Sequence, residues 1–288
     1  MHFIQHIDLL HAVAGAFVGL LVGLTGVGGG ALMTPLLVLL FGVAPQTAVG
    51  TDLLYASITK ITGTGVHGWR DTVEWKVVRR LAYGSVPAAI ITLSVLAHYG
   101  HVGKSAQHVI LYTLAILLAV TALTVIFRNW LIRFAADIEP LDPPFKVVIG
   151  TVLLGAVIGV AVSVSSVGAG AIGVTVLLLL YPKLPVVRVV GSDIAHAVPL
   201  TLIAGIGHWI IGDVDGVLLT NLLVGSIPGV IVGSLLSTHA PEKVLRPLLA
   251  TVLAISSWQL FVKVNTPDKV APDKVKTIPA PTQTATKA

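Results

Sequence analysis

Long apolar runs separated by short polar loops set the rhythm of this 288-residue chain. The runs fall at residues 8–25, 31–42, 48–66, 78–97 and 106–127, and again at 147–164, 171–181, 189–209, 217–237 and 244–262. Most approach the ~20 helical residues needed to cross a hydrocarbon core of ~30 Å. The second run of each set is shorter, and a dozen helical residues reach only ~18 Å. Each short run follows a glycine-rich stretch, at residues 25–30 and 165–170, so both are predicted to be broken or re-entrant elements. The pattern predicts an all-α polytopic membrane protein with about 8–10 membrane segments.

The two sets of runs also match in sequence. VGGGA at residues 27–31 pairs with VGAGA at 167–171, and GTD at 50–52 pairs with GSD at 191–193. His67 then pairs with His208, GSVP at 84–87 with GSIP at 225–228, and His98 with His239. Matches kept in order, with the register slipping by a single residue, argue for duplication. The domain reading is a first transmembrane repeat at 1–128, a cytoplasmic linker at 129–146, a second repeat at 147–263 and a flexible C-terminal tail at 264–288.

Charge orients the halves. The loop after the third run holds Arg70, Lys76, Arg79 and Arg80, whereas its counterpart at residues 212–216 holds Asp213 and Asp215 and neither Lys nor Arg. Basic loops stay on the cytoplasmic side, so the first of these loops is expected inside and the second outside. Arg128, Arg133 and Lys146 put the inter-half loop inside as well. The two halves are thus expected to be inverted, with both termini outside. Inverted repeats with discontinuous helices are a transporter architecture, in which the substrate binds near the midplane where the repeats meet.

Composition agrees with a membrane protein and removes other classes. The chain is 55% hydrophobic and 11% charged, against about a quarter charged in soluble domains. With no cysteine it has no disulfide, thiolate ligand or thiol nucleophile. The net charge of +5 is spread thinly and does not interleave with aromatics, which argues against a nucleic-acid partner. The sequence lacks a Walker loop, an H-E-x-x-H and a G-x-S-x-G, so neither an enzyme nor a bound cofactor or metal is expected, and any driving force is a gradient. The first ten residues lack the basic n-region of a secretory signal and are read as mature protein.

The candidate chemistry sits at the breaks. Backbone N–H groups cannot stay unpaired in lipid, so a break must be buried in protein or line a polar cavity. Glycines let successive N–H groups point one way, and the following helix N-terminus adds positive potential. With the hydroxyls of Thr25, Ser165 and Ser166, the Gly28, Gly29, Gly30 and Gly168, Gly170 stretches form an expected site for a small oxyanion. The alternative is that these glycines only permit close helix packing. Thr51-Asp52 and Ser192-Asp193 come next. Acids inside membrane segments are functional candidates by default, although Ser or Thr followed by an acid equally resembles a helix N-cap. Asp52 and Asp193 are candidate proton carriers, and His196, three residues after Asp193, shares its helix face. Lys60 reads either as an anion contact or, preferentially, as a residue snorkelling to the interface. His67 and His208, beside Trp69 and Trp209, read as interfacial. Ser85 and Ser226 are expected to satisfy backbone groups freed by Pro87 and Pro228.

The Gly26-Val27-Gly28-Gly29-Gly30 break, the short apolar run after it and GTDLL at residues 50–54 resemble the TauE/SafE sulfite exporter family. The second copy, with VGAGA and GSD, resembles that family's degenerate repeat, and the likeness spans about residues 9–262. It implies export or exchange of sulfite, sulfoacetate or related organosulfonates across a bacterial inner membrane. It also implies that the glycine-rich stretches and the Thr51-Asp52 and Ser192-Asp193 pairs line the anion path. Ala169 stands where the first copy has Gly29, so equal contributions from the two breaks do not follow. The expectation is an alternating-access secondary transporter whose partners are a small anion, the bilayer and coupling protons. A passive anion channel, a sulfate or thiosulfate uptake permease, and a non-transporting receptor or assembly subunit that uses its tail are the other readings.

Overall fold

A computed structural model of the chain describes residues 8–25, 30–67, 73–99, 103–136, 145–168, 170–236 and 242–266. These residues form eleven α-helices and no strand. The first half contributes α1 (Leu9–Thr25), α2 (Gly30–Leu39), α3 (Pro45–His67), α4 (Trp75–Tyr99) and α5 (Gly103–Ile126). After α6 (Arg128–Ala136), the second half contributes α7 (Phe145–Ser165), α8 (Ala171–Leu180), α9 (Val186–Ile211), α10 (Gly216–Leu236) and α11 (Glu242–Asn265). The ten apolar runs correspond to ten of these helices. The eleventh, α6, lies in the stretch read as linker, where Trp130 and Phe134 stack at 5.4 Å one turn apart. Helix α11 continues to Asn265, so residues 264 and 265 are helical rather than tail.

Helices α4, α5, α7, α9, α10 and α11 are long and apolar enough to cross a membrane, and the chain is a multi-pass membrane protein. Helix α3 has 23 residues, which is length enough, but it carries Asp52, Lys60 and several threonines. It is tolerated because its neighbours screen it: Thr51, Asp52, Leu53, Tyr55, Ser57 and Thr59 are fully buried. Polar groups in a bilayer must be satisfied inside the protein, which accounts for α3 lying between the two hydrophobic clusters. One hydrophobic cluster takes Ala48, Leu54 and Tyr55 of α3 together with α1, α2, α5, α10 and α11. The other takes Val49 and Leu53 of α3 with α4, α7, α8 and α9.

The two short helices turn back. The ring of His11, early in α1, stacks on Phe41, just past α2, at 4.4 Å. The Tyr181 hydroxyl, just past α8, lies 2.8 Å from Thr151, early in α7. In both α1–α2 and α7–α8, the end of the short helix therefore returns beside the start of the helix before it.

Between helices in lipid there is little hydrophobic driving force, and association depends on close packing of small residues. Gly15, Gly19 and Gly23 of α1 abut the backbone of Leu222, Ser226 and Val230 of α10, and a Cβ on Gly19 would sit 2.5 Å from the Ser226 carbonyl. Gly155 and Gly159 of α7 abut Leu81 and Ser85 of α4 in the same manner. Rising residue numbers meet rising numbers, so α1 runs parallel to α10 and α7 to α4. Helix α4 also runs parallel to α9, with Ser85 beside His196 and Leu93 beside Gly207, whereas α5 with α11 and α3 with α9 are antiparallel. In α5 and α11, Asn129 accepts from Arg246 at 3.2 Å just beyond one end, while Tyr112 donates to Asn265 at 2.6 Å near the other. In α3 and α9, Gly205 seats Leu54, whereas Lys60 lies near Asp193.

Candidate functional site

Where α3 and α9 cross, they bring two buried aspartates toward the starts of the two short helices. Asp52 lies seven residues inside α3, and Asp193 lies seven residues inside α9. Neither is in a first turn, which removes the N-cap reading for both. Asp52 Oδ2 accepts a 2.5 Å hydrogen bond from Thr34 Oγ1 in α2, and the Ser166 hydroxyl of the other half's break faces the same carboxylate. Asp193 sits against the start of α8: the Gly170 N–H is directed at it, and a Cβ on Gly173 would collide with Asp193 Oδ1. One oxygen of each carboxylate, Asp52 Oδ1 and Asp193 Oδ1, has no hydrogen-bond partner among the described residues.

The environment explains why carboxylates belong there. Helix α8 is preceded by Gly170 at its N-cap, with φ 120°, and no side chain caps it. Its first N–H groups and its positive dipole end favour an anion, and Asp193 supplies one. The break leading to it is bent by left-handed backbone at Ser166 (φ 60°), Gly168 (φ 132°) and Gly170. At Gly170 an added side chain would meet open space, so glycine is required there by the backbone and not by crowding.

A second polar layer links these helices to α4 and α10. Ser85 Oγ lies 2.7 Å from His196 Nε2, and the Tyr55 hydroxyl faces Ser226. Tyr55 and His196 stand in corresponding places, three residues after Asp52 and Asp193. The serines expected to repair the kinks at Pro87 and Pro228 instead join the proline-bearing helices to the site.

Lys60 departs most from its expected place. It is half-buried, eight residues after Asp52 on α3, and its ammonium lies within electrostatic reach of Asp193, Asp52 and His196. A lysine with two carboxylates for neighbours does not need the interface. His208 also differs from the interfacial reading. It is 1% exposed, with Nε2 2.8 Å from the Ser163 carbonyl and Nδ1 3.2 Å from Asp213. Trp209, beside it, is the exposed member of the pair.

The hydroxyls expected to meet the anion divide into two groups. Thr51 Oγ1 accepts the Asp215 N–H at 3.1 Å, and Ser192 Oγ accepts the Glu74 N–H at 2.8 Å. Each therefore fastens the loop that enters α10 or α4, and each acts across the two halves. Ser165 Oγ is engaged with the Ala161 carbonyl at 2.8 Å and with Val167. Ser166 Oγ is buried without a hydrogen-bond partner and faces Asp52. Gly28 and Gly29 lie outside the described residues, as does the side chain of Thr25, while Gly30 opens α2. Thr34 was not expected, although a lone threonine in a helix as apolar as α2 was a legible signal. Thr51→Val and Ser192→Ala should each lower thermal stability in detergent by about 1 kcal/mol, the worth of one such hydrogen bond. Their KM for a transported anion should stay at the wild-type value in a flux assay.

Comparison with known proteins places this geometry in context. Residues 11–260 match the family model described as sulfite exporter TauE/SafE. A Bacillus subtilis protein, the probable membrane transporter protein YjnA, is 39% identical over 250 residues, covering 85% of this chain and 96% of its own length. A second from that organism, the probable membrane transporter protein YdhB, is 26% identical over 209 residues, covering 71% and 80%. A probable membrane transporter protein of Methanocaldococcus jannaschii is 24% identical over 213 residues, covering 72% and 73%. No solved structure matches the chain.

Proposed function

Because the chain belongs to the TauE/SafE sulfite exporter family, we propose that it is a secondary transporter that exports small sulfur-containing anions such as sulfite or sulfoacetate by alternating access, with proton coupling. The observation that carries the reading is the pair of buried carboxylates, Asp52 and Asp193, each held at the start of a short helix inside the bundle, with Lys60 in electrostatic reach of both.

Groups that hold a carboxylate also suit an oxyanion. The Thr34 hydroxyl and the Gly170 N–H serve the protein's own acids. A substrate sulfonate or sulfite presents the same kind of acceptor oxygens and replaces a carboxylate when that acid is neutralised. Charge counting ties the anion to a proton. With both aspartates ionised, Lys60 protonated and His196 neutral, the cluster carries one net negative charge. Adding a monoanion would double it in a medium where like charges repel strongly. A proton on Asp52 or Asp193 returns the count to one and releases donors to the substrate. The groups facing Asp52 are Thr34 from α2, Ser166 after α7 and Lys60; those facing Asp193 are the Gly170 N–H, Gly173 of α8 and Lys60. His196, bonded to Ser85 of α4, is the next titratable neighbour.

The halves are read as an inverted repeat. The antiparallel crossings of α3 with α9 and α5 with α11 support that, since counterpart helices of an inverted repeat run in opposite directions. The clustering of Arg79, Arg80, Arg128 and Arg133 supports termini on the outer side of a bacterial inner membrane. The test is flux of sulfite and sulfoacetate into proteoliposomes with and without an imposed pH gradient. Saturable flux that follows the proton gradient is expected. Flux that neither saturates nor responds to the gradient makes the protein a passive channel, and no flux of either anion from folded protein removes the sulfur-anion reading.

A further inference from the structure

Two buried carboxylates repel any anion that approaches them, so an anion site built on them needs a cation of its own. Among the described residues, Lys60 is the one cation that is a charge partner of either aspartate. We propose that Lys60 is the residue that binds the transported anion, exchanging a carboxylate partner for the substrate oxyanion as it enters the site. The inference rests on the transport reading above and assigns its specificity to one side chain.

Three features place Lys60 in this role. Eight residues of helix put it about 12 Å along α3 from Asp52, and the antiparallel α9 brings Asp193 and His196 to that level. The polar groups at this level are under-satisfied: Asp193 Oδ1 and His196 Nδ1 are buried polar atoms without a hydrogen-bond partner among the described residues. Buried polar groups are nearly always paired, so these two atoms beside one ammonium point to a polar occupant of this region. Finally, the site is asymmetric. In the register that pairs Asp52 with Asp193, Lys60 corresponds to Thr201, whose hydroxyl is bonded at 2.9 Å to the Ala197 carbonyl of its own helix. Two related acids thus share one cation, which suits a single monoanion per cycle. Because Asp193 lies on α9 and Lys60 on α3, exchanging their electrostatic attraction for a substrate contact loosens one half from the other, as alternating access requires.

The test uses the full-length chain, with sulfite as the probe. Sulfite flux in proteoliposomes is measured alongside sulfite-induced thermal stabilisation in detergent for wild type, Lys60→Gln, Lys60→Arg and the Lys60→Gln/Asp193→Asn double variant. Lys60→Gln should raise the KM for sulfite at least tenfold and lose the stabilisation, whereas Lys60→Arg keeps a measurable part of both. The double variant removes a charge of each sign and guards against misfolding caused by an unpaired acid; it too should fail to respond to sulfite. A wild-type KM or full stabilisation in either Gln-bearing variant overturns the assignment of Lys60 while leaving the transport reading standing. Absence of both sulfite responses in the wild type instead removes the transport reading, and this inference with it.

Discussion

Asp52→Asn and Asp193→Asn are expected to reduce anion flux about ten- to a hundredfold each, and the flux that remains should no longer follow a pH gradient. The magnitude is that of one hydrogen bond to a charged group, about 1.5–3 kcal/mol, read as a rate ratio. Asparagine keeps the size of the side chain and still accepts a hydrogen bond from Thr34 or the Gly170 N–H, so the helix starts remain satisfied. What it removes is the ability to take up a proton. The two variants should differ in detail. Asp193 Oδ1 lies against the backbone of Gly173, so the amide there must keep its oxygen toward α8. Asp52, held by a threonine hydroxyl, should tolerate the amide better in thermal unfolding. A pH-gradient response that survives in both variants excludes the aspartates as proton carriers.

The second large effect concerns assembly. Gly84→Leu and Gly225→Leu should each sharply reduce the yield of folded protein, because a Cβ at either place would be driven into backbone: Val152 and Ala156 for Gly84, Ala12 and Ala16 for Gly225. Overpacking usually costs about 1–3 kcal/mol when side chains can give way. A carbonyl in a hydrogen-bonded helix cannot, so the whole α1–α10 or α4–α7 contact must open. Contacts of this kind carry much of the association between membrane helices. Gly216→Ala is the control: its Cβ would meet only the Trp209 ring at 3.8 Å, and it should leave yield and thermal unfolding unchanged. Size-exclusion profiles and melting in detergent read all three. Normal folding of both leucine variants would mean that the helix pairs are not in contact as described.

The helices were legible because bilayer thickness imposes a length and an apolar composition that few other demands mimic. The same rule exposed α2 and α8 as too short, and their return beside α1 and α7 follows from that shortness together with the glycines between each short helix and its predecessor. Helix α6 was missed because nine residues with two arginines and an asparagine show neither a membrane-length run nor a clear cap. The aspartates were found because an acid in a membrane segment is costly wherever it sits. Their surroundings were not, since Ser192 meets Glu74 and Thr51 meets Asp215 across more than a hundred residues of chain. Lys60 shows the limit most plainly. Near the end of a hydrophobic run, a lysine with a flexible stem can reach the interface, and only the crossing of α9 over α3 supplies the second carboxylate, Asp193, that keeps it inside. The stripe of Gly15, Gly19 and Gly23 was readable as a packing face, but nothing local to it named α10 as its partner.

Counterflow of sulfite tests the central claim most directly. Proteoliposomes containing the full-length protein are loaded with unlabelled sulfite and diluted into a trace of labelled sulfite, with pH held equal on both sides. A carrier that exposes one site alternately to each face exchanges one anion for another. The account therefore predicts a transient accumulation of label above its external concentration, absent from vesicles preloaded with chloride. Label that only equilibrates, at the same rate with either preload, would contradict alternating access.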